Sequence, residues 1–159
     1  MNLLILASVL CAVIFIEAHK QKDSCSIAVS IIIYLYFIAS AMQSNPHFVS
    51  FSSVLTWAQY ILLLALAAYL IYRLLKSIDR KKHLPAAVFA VAACVFRVFR
   101  TYYSNRYTEI LKTSESYSHE NLQKYLASYG LADLAAKIML VLLMVSIARQ
   151  LKKTKANNS

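Results

Sequence analysis

An all-α, polytopic transmembrane bundle of about five spans is the fold class that this 159-residue chain predicts. Three observations carry that expectation. Apolar stretches cover 2–16, 26–42, 51–72, 84–99 and 131–148. A helix rises 1.5 Å per residue, so about 20 such residues cross a hydrocarbon core roughly 30 Å thick. Hydrophobic residues make up 60% of the sequence and the mean hydropathy is +0.55, too apolar for a soluble globule. One glycine, Gly130, and two prolines, Pro46 and Pro85, are too few for the turns of a β-barrel. A helical bundle satisfies its own backbone hydrogen bonds in lipid.

The first stretch has no Lys or Arg before it, whereas a signal peptide opens on a positive segment. Its basic residues, Lys20 and Lys22, come afterwards, and Leu10 before Cys11 is too large for a lipoprotein cleavage site. A retained helix with its N-terminus outside is therefore expected. In the second stretch Tyr34 and Tyr36 sit deep, and each is expected to face another helix. The first two stretches are short, and a re-entrant hairpin is the alternative to two full crossings.

The third stretch places Trp57 and Tyr60 near one end and Tyr69 and Tyr72 near the other, as interfacial aromatic belts require. Pro85 sits at the start of the fourth, where a missing N–H is harmless if the helix starts there. Ala86, Ala90 and Cys94, with Ala93 beside them, give it a small face for close helix contact, and Ala65 and Ala68 give the third a looser one. Such faces serve packing within the chain, or association with a second copy. On the fifth stretch Asp133 and Lys137 are four residues apart and share a face.

Orientation follows from charge. Lys and Arg in the first gap, the third gap and the tail total eleven, against four in the 101–130 gap with Arg100 counted to it. The positive-inside rule puts the N-terminus outside, the C-terminus in the cytoplasm, and 101–130 on the extracytoplasmic side. The formal charge of +10 is thus accounted for by flanks of membrane spans, and direct nucleic-acid binding is not expected. The lipid bilayer is the first partner.

Two features outside ordinary packing stand out. Arg97 lies about 20 Å along its helix from Leu84, a depth comparable with that of Asp133 and Lys137 in the next span. Either the Arg and Lys heads snorkel to the headgroups, or Arg97, Asp133 and Lys137 form an intramembrane cluster tying the fourth span to the fifth. The 101–130 segment continues the fourth helix through Tyr103, Tyr107, Ile110 and Leu111. A polar turn is expected at 113–118, with Ser118 capping a short helix that carries Leu122, Tyr125, Leu126 and Tyr129. Gly130 would then allow a bend into the fifth span. Its six tyrosines, Tyr117 among them, suit either an amphipathic helix on the headgroups or a docking surface. Tyr103, Tyr107, Tyr125 and Tyr129 are the candidate partner contacts.

Chemistry is sparsely signalled. The sequence has no HExxH, GxSxG or P-loop, the cysteines Cys11, Cys25 and Cys94 have no CxxC spacing, and the four histidines lie in the gaps. No catalytic residue, metal site or cofactor is expected. The stretch 96–103, FRVFRTYY, resembles an arginine-and-tyrosine stretch in one helix of the four-helix glutathione-using enzymes of eicosanoid metabolism, but their Arg-x-x-x-Asn-x-x-Glu signature is missing and the charge count favours five spans, so the match is rejected. In size and hydrophobic layout the whole chain resembles small phage- or plasmid-encoded inner-membrane proteins that protect their host. These are the A-type superinfection exclusion proteins of temperate phages and the immunity proteins against pore-forming colicins. The outward N-terminus departs from the usual colicin-immunity arrangement. The resemblance implies a non-enzymatic protein of the bacterial inner membrane that blocks incoming phage DNA by contacting ejection proteins or a host membrane protein. Immunity to a bacteriocin and a small channel or transporter subunit are the alternatives.

Overall fold

The computed structural model describes residues 3–77, 80–112 and 119–157. They form five α-helices: α1 (Leu3–Lys20), α2 (Ser24–Gln43), α3 (Ser52–Lys76), α4 (Arg80–Lys112) and α5 (His119–Asn157), with a short 3-10 segment, Pro46–Phe51, between α2 and α3. All five are long and apolar enough to cross a membrane, and the described residues include no strand. The chain is a multi-pass membrane protein. The 18 and 20 residues of α1 and α2 correspond to about 27 and 30 Å of helix, enough for full crossings.

The connections have local causes. Lys22 adopts φ 55° after α1, and Asp23 then caps α2. Its carboxylate accepts the N–H groups of Cys25 at 3.1 Å and Ser26 at 3.4 Å, and the Ser26 hydroxyl at 2.8 Å. After α2, the Asn45 side chain accepts the His47 N–H at 3.0 Å, an Asx turn that starts the 3-10 segment.

Two expectations are corrected at helix ends. Pro85 lies inside α4, which begins at Arg80, because the basic residues before the apolar stretch are already helical. Gly130 does not separate two helices: α5 continues through it without a positive φ. One mid-helix glycine costs only about 1 kcal/mol, which a 39-residue helix can absorb. The predicted turn at 113–118, the Ser118 cap and Tyr117 lie outside the described residues.

Successive helices are neighbours, and α5 closes back on α1, making a five-membered ring whose most extensive seam is α4–α5. The closure is visible at two depths. The Cys11 thiol meets Met144 Sδ at 3.4 Å, and Gln21 Nε2 donates to the Leu151 carbonyl at 3.1 Å. Ile33, Leu66, Leu143 and Met144 fill the interior. The outward sides are also apolar, as Ile61 (64% exposed) and Leu64 (62%) illustrate. A protein with apolar groups both inside and out has lipid as its solvent.

Small residues set the close contacts, though not all the expected ones. Ala86, Ala90 and Ala93 are buried, and the half-buried Cys94 donates its thiol to the Leu63 carbonyl at 3.4 Å. Ala65 and Ala68 are instead exposed, and α3 turns Leu63, Leu66 and Ala67 inward. Tyr36 is buried as expected, but Tyr34 faces outward.

Candidate functional site

A polar cluster occupies the end of the bundle opposite the basic helix ends. Asp133 is its centre. Arg97 Nη1 lies 3.5 Å and Arg100 Nε 2.8 Å from one carboxylate oxygen, and Lys137 Nζ lies 2.6 Å from the other. Arg97, Asp133 and Lys137 thus meet across the α4–α5 seam, and Arg100 joins them. Arg97 is fully buried between helices, so it does not snorkel to the surface.

A hydrogen-bonded chain extends the cluster to α2 and α3. Arg100 Nη2 donates to Tyr129 Oη at 2.7 Å and to Gln43 Oε1 at 3.3 Å. Gln43 also accepts from Gln59 Nε2 at 3.2 Å and donates to the Thr56 hydroxyl at 2.7 Å. Tyr60 pairs with the Thr101 hydroxyl, contacts the Arg97 carbonyl at 3.2 Å, and sets its ring 5.6 Å from the Arg97 guanidinium. Four of the five helices therefore meet through side-chain polar groups at this end.

The electrostatics are unbalanced. Arg97, Arg100 and Lys137 share one carboxylate, which leaves a formal surplus of two positive charges. Among the described residues, Arg97 Nε and Nη2, the Tyr36 hydroxyl and Gln59 Oε1 are buried without a hydrogen-bond partner. Buried polar groups are usually paired because desolvation otherwise costs about 1–3 kcal/mol each. The arrangement is a fixed, cation-rich site.

Gln43, Gln59, Thr56, Tyr60 and Thr101 were not expected in the cluster. Gln59 carried a usable signal, an amide in the middle of an apolar stretch.

Beyond the cluster α4 and α5 continue past their apolar stretches for about 20 and 18 Å respectively. The candidate contact residues lie here, all half-buried. Tyr103 and Tyr125 face each other across the seam with ring centres 6.4 Å apart, and the Tyr129 ring lies 4.8 Å from the Arg100 guanidinium. Tyr107 lies one turn above Tyr103. Tyr102, 51% exposed, is the ring on this segment of α4 that is most open to the surroundings.

Two cavities lie at opposite ends of the bundle. One, of about 500 Å3, opens between α1, α2 and α5 beside Asp133 and Lys137. The other, of about 550 Å3, lies at the basic end among Lys20, Asp23, Arg73 and His83. No group of three or more His, Cys, Asp and Glu side chains suited to a metal ion occurs among the described residues. Comparison with protein-family models, curated proteins and solved structures found no match to the chain.

Proposed function

We propose that the chain is a non-enzymatic protein of a bacterial inner membrane that acts by contacting a partner in transit, and that it excludes incoming phage DNA in this way. The observation that carries the reading is the α4–α5 hairpin. It projects beyond the apolar spans and bears tyrosines along its seam, while its base is clamped by the Asp133 ion pairs. A rigid, tyrosine-bearing projection suits contact with another protein, because tyrosine supplies large contact area at low entropic cost and a polar tip. The excess of Lys and Arg at the other end supports an extracytoplasmic position for the hairpin. The partner in this reading is a phage ejection protein or the host membrane protein that it uses.

The test is replacement of Tyr103, Tyr107, Tyr125 and Tyr129 by alanine in cells challenged with phage. Two anchoring tyrosines at about 2 kcal/mol each suffice for a loss of protection of about 100-fold or more. Tyr103 and Tyr125 also pack on each other, so the comparison is made at equal membrane abundance, with Tyr102→Ala as a variant that touches the projection without opening the seam. Full protection by the quadruple variant contradicts the assignment of contact to this hairpin.

A further inference from the structure

We infer that the cavity between α1, α2 and α5 binds the headgroup of an anionic phospholipid, a ligand independent of the exclusion role. The cavity is lined by both polar and apolar groups. Lys137 and Asp133 of α5 and Ser40 and Ser44 of α2 supply the polar ones. Leu3 and Leu4 of α1, Phe37 of α2 and Leu134 of α5 supply the apolar ones. Gly130 and Ala41 keep it open, and nothing lies within 4 Å of the place where a Gly130 side chain would start. A headgroup meets the polar groups while acyl chains follow the apolar ones into the surrounding lipid.

Charge selects the sign of the ligand. Asp133 is shared by Arg97, Arg100 and Lys137, so two positive charges at membrane depth lack a counter-charge within the cluster. Arg97 is sealed, with Nε and Nη2 unpaired. Lys137, 20% exposed, is the cation that fronts the cavity. The Asp133 carboxylate also lines the cavity, and its repulsion of an anion is outweighed by the three cations that contact it. A phosphate beside Lys137 Nζ relieves the surplus that one carboxylate leaves. A zwitterionic headgroup carries no net charge to do so, and a soluble oxyanion makes no use of the apolar lining.

Native mass spectrometry of the purified full chain in detergent, titrated with phosphatidylglycerol and with phosphatidylcholine, tests the inference. The choline cation of phosphatidylcholine offsets its phosphate whereas phosphatidylglycerol keeps a net negative charge, and a preference of about 10-fold for phosphatidylglycerol is expected. Lys137→Gln should remove that preference while leaving both arginines on Asp133. Ala41→Phe, at an exposed position away from the ion pairs, should block the cavity and lower phosphatidylglycerol occupancy about 10-fold. Equal retention of the two lipids, or unchanged binding by Ala41→Phe, overturns the inference. Displacement of phosphatidylglycerol by millimolar inorganic phosphate also overturns it, and assigns the site to a soluble oxyanion. No phage or protein partner enters the measurement, so its result and that of the exclusion test are separable.

Discussion

Asp133→Ala is expected to destabilise the bundle by about 3–5 kcal/mol, the cost of leaving buried charge uncompensated. The carboxylate contacts Arg97, Arg100 and Lys137, and Arg97 has no exposed surface through which water could replace it. Its loss leaves three cations together at membrane depth. Lys137→Gln should be milder, since both arginines keep their counter-ion and Lys137 is partly exposed. Unfolding of the purified chain by titration with a denaturing detergent reads both. The same geometry predicts that exchanging the charges, Arg97→Asp with Asp133→Arg, does not restore stability. The new arginine would face Arg100 and Lys137. An Asp133→Ala protein within 1 kcal/mol of the parent would show that the cluster is not the clamp described here.

The second large effect is steric. Ala93→Leu and Ala90→Leu are each expected to cost about 1–3 kcal/mol, because both alanines are buried where α4 approaches its neighbours. Lipid tails can yield to a larger side chain, and a packed backbone cannot. Ala65→Leu and Ala68→Leu, which add the same atoms to exposed positions on α3, should lie within about 0.5 kcal/mol of the parent. The same detergent titration gives the comparison. Equal tolerance at all four positions contradicts the helix faces described here.

That contrast also marks where the sequence could be read and where it could not. Apolar stretches interrupted by charge located all five helices, since lipid enforces length and hydrophobicity on each. Their polar extensions were only partly legible. Arg80 to Lys82 and the run from His119 to Gly130 form helix without any apolar requirement. Depth along a helix was legible too, because the rise per residue is fixed, and it brought Arg97 level with Asp133 and Lys137. Rotation about the axis was not. In water a polar stripe marks the outer face, whereas in lipid both faces are apolar, so Ala65 and Ala67 look alike in the sequence although only Ala67 is buried. The same blindness hid the part played by Gln43 and Tyr129, whose partners lie on other helices.

The bilayer is the solvent of this chain, and α3, α4 and α5 are expected to carry Asn45 and Lys153 to opposite sides of it. Single cysteines at the exposed positions Asn45 and Lys153, in a chain whose three native cysteines are replaced by alanine, test this directly with a membrane-impermeant maleimide. Asn45→Cys should react in intact spheroplasts, and Lys153→Cys only after permeabilisation. Reaction of both from the same side contradicts the account.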